Sequence, residues 1–259
     1  MRNLSNAGRI FYGTSITIMG FLTIYYDVFP YMLLPQQDFT FPGHVVLTYI
    51  SGVILLLVGV SIVFRKKIVL ISFLFGWILL LIFCFYFLPY QFIANPNYKH
   101  LLEWDNAGKE LALSGGAFVI AGCFSEENKN LPNRYLGKPL RYGSILFALP
   151  ILTFGILHFL YAKDVSTLIP SWIPYPVFWT YLAGVGLAGS GIAIIFKVRT
   201  GLIATLLGSM ILIWFIILHV PRVTAASFSD MGGEITSAFL ALAYSGTAFV
   251  IAGANKNAV

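Results

Sequence analysis

The sequence predicts an all-α membrane protein with eight transmembrane helices, arranged as two parallel-repeated four-helix bundles. Three observations predict it. First, the 259 residues are 58% hydrophobic and only 10% charged, whereas soluble proteins carry about 25% charged residues. Second, the apolar residues gather into eight runs, each near the roughly 20 residues that a membrane-crossing helix needs. Third, the last four runs align with the first four. So few charges cannot cover the surface of a soluble chain this long. A water-soluble globular domain, a disordered chain, a collagen and a disulfide scaffold are excluded. The lipid bilayer is the main partner.

The first run, residues 10–26, follows Arg2 and Arg9. That basic start resembles a signal peptide, but no small-x-small cleavage site follows, and Tyr25-Tyr26-Asp27 comes next. It is read as a retained helix. The second run, 45–64, is closed by Arg65-Lys66-Lys67, and the third, 68–88, stops before Pro89. The fourth, 104–123, opens on Asp105, Asn106, Lys109 and Glu110, so its first turn is expected among lipid headgroups, as an internal ion pair or a solvated helix start. The fifth, 142–161, contains Pro150, which predicts a local kink. Pro170, Pro174 and Pro176 precede the sixth, 177–196, and Pro221 follows the seventh, 201–220. Prolines between spans are ordinary helix breakers. The eighth, 234–253, opens on Glu234. Strand alternation is absent, which excludes a β-barrel. Cys84 and Cys123 have no metal or redox spacing and are expected as two buried structural thiols.

Charge orients the spans. With a cytoplasmic N-terminus, twelve of the sixteen Lys and Arg fall in inner segments, and only Lys99, Lys109, Lys163 and Arg222 fall outside. Eight of the ten acids go outside. This positive-inside bias places both termini in the cytoplasm. It also accounts for the net charge of +6 without a nucleic-acid partner.

The repeat is legible residue by residue. Thr48-Tyr49-Ile50-Ser51-Gly52-Val53 matches Thr180-Tyr181-Leu182-Ala183-Gly184-Val185, and Gly76 and Pro89 match Gly208 and Pro221, all at an offset of 132. Gly8 and Gly20 match Gly143 and Gly155 at 135. Ala117-Phe118-Val119-Ile120-Ala121-Gly122 matches Ala248-Phe249-Val250-Ile251-Ala252-Gly253 at 131. Four helices per unit return the chain to its starting side, so the copies are parallel rather than inverted. The units are residues 1–124 and 142–259, joined by a polar cytoplasmic linker, 125–141. Small residues four apart, as at Ala112/Gly116 and Ala248/Ala252, allow helices to approach closely. They fit tight packing within each unit, or a dimer face.

Several of these features resemble DoxX-type membrane proteins, a family of small four-helix units. They are Leu218-His219-Val220-Pro221-Arg222, the acid-started helix with Ala243-Tyr244-Ser245-Gly246-Thr247-Ala248, and Lys109-Glu110-Leu111-Ala112-Leu113-Ser114-Gly115-Gly116-Ala117. The resemblance covers both halves and implies a tandem form. It also implies a possible place in a quinone-linked oxidoreductase or an oxidative-stress complex. The first half departs from the pattern, with Phe87-Leu88-Pro89-Tyr90 where the second has His219-Val220-Pro221-Arg222.

Ionisable residues within membrane helices are functional candidates. His158, His219, Arg222 and Glu234 fall near one depth in the second half, with Tyr181, Tyr175 and Trp172 at a similar level. Thr23 and Phe87 occupy the positions of His158 and His219 in the first half. Three readings are open. The cluster is a structural network in which His219 and Arg222 satisfy backbone and Glu234. Alternatively, His158, His219, Arg222, Glu234 and Tyr181 bind an amphipathic ligand such as a quinone, with aromatic walls around its ring. Or His158, His219 and Glu234 hold a metal. At the level of the whole protein, the alternatives are a quinone-binding or redox-partner subunit and a non-catalytic structural or assembly subunit of a membrane complex. No nucleotide-binding or haem-attachment motif is present.

Overall fold

A computed structural model of the chain describes residues 2–28, 43–94, 104–125, 133–227 and 230–254. Among them, the secondary structure is helical throughout, with no strand. Eight long helices follow in order: α1 (Arg2–Tyr26), α2 (His44–Val63), α3 (Ile68–Ile82), α4 (Asp105–Cys123), α5 (Asn133–Leu160), α6 (Pro176–Ile195), α7 (Thr200–Trp214) and α8 (Met231–Ala254). Six of them, all but α1 and α4, are long and apolar enough to cross a membrane. The protein is therefore a polytopic membrane protein by its helices. α1 carries Arg9, and α4 opens on Asp105, Lys109 and Glu110, which lowers their hydropathy.

Pro150 lies inside α5, as the fifth expected span places it. The expected spans fall on these helices, with two differences. α5 starts at Asn133, so the second part of the expected linker is helix. Pro89 and Pro221 do not end their helices. Helical structure runs on to Ile93 and to Ala225, across both prolines. A π turn precedes each one, Phe83–Phe87 and Phe215–His219. A proline clashes with the carbonyl four residues earlier and cannot donate to it. Here the pairing has already widened: the Leu88 N–H donates to Phe83 O and the Val220 N–H to Phe215 O, both five residues back. The wider turn takes up the proline where an ideal α-helix would break.

Helix packing follows chain order around a ring. α1 lies against α2, α3 against α4, α5 against α6, and α7 against α8. The most extensive contacts close the ring across the two halves, α1 with α8 and α4 with α5. α4 and α8 also meet in the middle, whereas α1 barely touches α4. A half closed on itself would pack its first helix on its fourth. Here each half packs its first helix on the other half's fourth. The reason lies in the glycines. A Cβ on Gly246 would stand 2.5 Å from Gly8 O and 2.9 Å from Tyr12 N. One on Gly115 would stand 2.5 Å from Phe147 N and 2.7 Å from Gly143 O. Backbones approach this closely only where side chains are missing. The small residues thus serve both within a half, as at Gly20 against Gly52, and between halves.

α4 and α8 are the central pillars. Of the most apolar stretch of α8, 83% is buried inside the protein, against 22–39% for the other five apolar spans. Large apolar side chains of the outer helices face outward, including Leu57, Leu74, Val185 and Ile213, as a lipid-facing surface requires. Cys84 is also exposed, on the first π turn, and Cys123 is partly buried, so the expectation of two buried thiols fails for Cys84.

Local details recur in pairs. Ser114 Oγ donates to Gly76 O, and Ser245 Oγ donates to Gly208 O, both at 2.8 Å. Phe118 lies over Gly76, and Phe249 lies over Gly208. The turn from α2 to α3 has positive φ at Arg65 and Lys67, and the turn from α6 to α7 has it at Lys197 and Arg199. Arg9 and Arg65 lie at the same end of the molecule. Arg9 Nη1 donates to Ile62 O at 2.5 Å and to Val63 O, Arg65 Nη2 donates to Asn6 Oδ1 at 3.1 Å, and both guanidinium groups lie over the Phe124 ring.

Candidate functional site

A cavity of about 390 Å³ opens at the other end of the second half. Four helices of that half and the first turn of α4 surround it. Its walls are mainly apolar and aromatic, with Phe154, Trp179, Met210, Trp214, Leu240 and Tyr244 among them. Its polar lining includes His158, His219, Arg222, Asp105 and Lys109. A small-molecule pocket has this volume and character, apolar with a few convergent polar groups.

Each polar group is placed by local structure. His158 lies in the last turn of α5, and its Nδ1 is 2.7 Å from Phe154 O. A carbonyl only accepts, so Nδ1 carries the proton, and Nε2 is left as the acceptor of the neutral ring. Thr23 makes the matching bond in the first half, from Oγ1 to Met19 O at 2.8 Å. His219 ends the π turn before Pro221. Its Nδ1 is buried and has no hydrogen-bond partner. Its counterpart Phe87 is fully buried.

Arg222 sits just past Pro221, facing the start of α8. Its Nε donates to Glu234 Oε2 at 2.9 Å and its Nη2 to Glu234 Oε1 at 2.5 Å. Both carboxylate oxygens are thus engaged in a fork, the arrangement that guanidinium planarity favours. The remaining guanidinium N–H groups are still available as donors, since Arg has five. Glu234 itself is not among the cavity-lining residues; it acts by holding Arg222. Across the cavity, Lys109 pairs with Asp105 and donates to Asn106 Oδ1 at 3.1 Å. The Tyr244 hydroxyl donates to Lys109 O at 3.2 Å, and the Trp179 indole N–H donates to Pro174 O at 3.1 Å.

The structure therefore brings His158, His219 and Arg222 to one cavity, with Glu234 behind Arg222. It does not bring Tyr181. That ring is 44% exposed and stacks on Phe159, with centroids 5.7 Å apart. Tyr175 and Trp172 are exposed as well. The reason is helical phase. Thr180 and Ala183 of α6 face the cavity, and Tyr181, one residue on from Thr180, is turned about 100° from that face. Among the described residues, no three His, Cys, Asp or Glu side chains group as metal ligands, and the Glu234 oxygens are already held by Arg222.

Two contributions were not foreseen from the sequence. The Asp105–Lys109 turn belongs to the first half, yet it lines a cavity of the second, because α4 packs on both α5 and α8. Glu110 was expected in an ion pair or in solvent. It is fully buried, and neither carboxylate oxygen has a hydrogen-bond partner. Helical spacing carries the signal: adjacent positions 109 and 110 point about 100° apart, so one can face a cavity while the other faces the interior.

Comparison with protein-family models, with curated proteins and with solved structures finds no match for this chain.

Proposed function

We propose that this chain is a tandem DoxX-like protein of a bacterial-type inner membrane. In this reading it has eight spans, both termini are cytoplasmic, and its outer-face cavity binds a lipophilic, quinone-like molecule. The repeat reading is supported by the paired details above: two serine-to-glycine-carbonyl bonds, two π turns before proline, and two left-handed turns, each at matching positions. The orientation rests on the distribution of Lys and Arg. The family reading rests on the sequence features and the helical architecture.

One observation carries the ligand reading. The buried Nδ1 of His219 has no partner, and His219 lines a largely apolar cavity. A buried polar nitrogen without a partner costs about 1–3 kcal/mol. A turn of the imidazole toward the cavity lets a ligand carbonyl or hydroxyl recover that cost. A quinone ring fits the aromatic walls, and its carbonyls accept from His219 or from the free guanidinium N–H groups of Arg222. A redox role follows from the ligand class and from the resemblance, with an electron-transfer partner protein supplied by the membrane complex.

A second reading has its own observation. The Arg222–Glu234 fork satisfies both charges internally, as a purely structural or assembly subunit would require. Extraction and mass spectrometry of the purified protein separates the two. A stoichiometric quinone or other lipophilic molecule, lost in His219→Ala, supports the binding reading. An empty protein that also fails to bind an added ubiquinone analogue supports the structural one.

A further inference from the structure

Glu110 is the most deeply buried acid among the described residues. It is 0% exposed, and neither oxygen accepts a hydrogen bond. α4 packs against α3, α5, α8 and, slightly, α1. The titratable groups that these elements bring toward α4 do not neutralise Glu110. Tyr12 of α1 donates its hydroxyl to Leu113 O at 2.7 Å. Tyr244 of α8 donates to Lys109 O. His158 of α5 bonds Phe154 O. Lys109, next to Glu110 in sequence, is paired with Asp105. Cys84, on the π turn that follows α3, is exposed and carries no positive charge. Ser114, one turn along α4, donates to Gly76 O.

The position has a further asymmetry. At the offset of 131, Glu110 corresponds to Ala241, which lines the cavity of the second half. The first-half counterparts of His219 and His158 are Phe87 and Thr23, and both are buried. The first half therefore holds a buried carboxyl group without a hydrogen-bond partner at the position where the second half has a cavity-lining alanine. An isolated ionised carboxylate in such surroundings is prohibitively costly, and the group takes up a proton instead.

We propose that Glu110 is an intramembrane proton-binding site, holding a neutral carboxylic acid in the resting protein. This is independent of what the second-half cavity binds. Two properties follow. The acid shows an infrared C=O stretch of the protonated form at neutral pH. It also reacts with a lipid-soluble carbodiimide. In that reaction a carboxyl oxygen bonds to the central carbon of the reagent, the acid proton moves to one reagent nitrogen, and the acyl group then leaves that oxygen for the other nitrogen. The product is an N-acylurea containing the whole reagent.

The test uses the full-length protein in detergent or lipid discs. Infrared spectra of wild type and Glu110→Gln are compared at neutral pH. A protonated-carboxyl band present in the wild type and absent in Glu110→Gln is the expected result. A wild-type spectrum with no such band that the variant removes overturns the proposal. If Glu110→Gln does not fold, dicyclohexylcarbodiimide on the wild type decides. One adduct per chain, mapped to Glu110, supports the site, and an unmodified Glu110 overturns it.

Discussion

Arg222 and Glu234 meet as a fork, through Nε to Oε2 at 2.9 Å and Nη2 to Oε1 at 2.5 Å, across the gap between α7 and α8. Their side chains are 29% and 21% exposed. The pair is thus intermediate between a solvated ion pair, worth about 0.2–1 kcal/mol, and a fully buried one, whose disruption costs about 3–5 kcal/mol. A double-mutant cycle with Arg222→Ala and Glu234→Ala should give a coupling of about 1–2 kcal/mol by unfolding in detergent. Arg222→Lys keeps the charge but loses the planar fork, and should recover less than half of it. A coupling within about 0.3 kcal/mol of zero, the usual scatter of independent sites, would remove the structural role assigned to Glu234.

His219→Phe separates packing from polarity, because phenylalanine is what the first half carries at this position in Phe87. The change removes a buried nitrogen that has no partner. Stability should therefore stay the same or rise by up to about 1 kcal/mol. Affinity for a quinone analogue, measured by fluorescence quenching of the wall tryptophans Trp179 and Trp214, should fall roughly tenfold, the loss of one hydrogen bond of about 1.4 kcal/mol. Unchanged affinity would place the ligand contact elsewhere.

The apolar spans were legible because a run of about twenty apolar residues is a strong signal that tertiary context rarely overrides. The proposed repeat was read from glycines and prolines that stand in pairs at fixed offsets. Helix partners were not. Gly8, Gly115, Gly143 and Gly246 announce close approach without saying to which helix, and here they join the two halves. The continuation of α3 and α7 through Pro89 and Pro221 was hidden because a π turn leaves no simple sequence mark. His158, His219 and Arg222 were legible as sparse polar groups near one depth. Tyr181 was misjudged on depth alone, without its phase around α6, and Glu110 because Asp105-x-x-x-Lys109-Glu110 reads as a solvated helix start.

Ser114→Ala and Ser245→Ala test the paired construction directly. Each serine donates to a glycine carbonyl of the neighbouring helix at 2.8 Å, and both are fully buried. Interhelical bonds of this kind contribute about 0.6 kcal/mol on average and up to about 1.7 kcal/mol in membranes. The two substitutions should destabilise by similar amounts, within about 0.5 kcal/mol of each other, and their effects should add. One large and one negligible effect would show that the two sites, though alike in geometry, are not energetically equivalent.

Gly246→Leu examines whether the contact between α1 and α8 holds the halves together. Any side chain there meets the backbone of α1 at Gly8 O and Tyr12 N, and backbone cannot swing away as a flexible side chain can. Overpacking typically costs about 1–3 kcal/mol, and this site should fall at or above the top of that range. Gly189→Ala is the matched control, because a Cβ there meets nothing within 4 Å. It should be neutral or gain up to about 1 kcal/mol from the better helix propensity of alanine. The halves, co-expressed as 1–124 and 125–259, should co-purify, and Gly246→Leu in the second should abolish the association while Gly189→Ala leaves it intact. Co-purification that survives Gly246→Leu would mean that the contacts of α4 with α5 and α8 suffice to join the halves. Gly115→Leu, which meets Phe147 N and Gly143 O in the same way, should then be the variant that separates them.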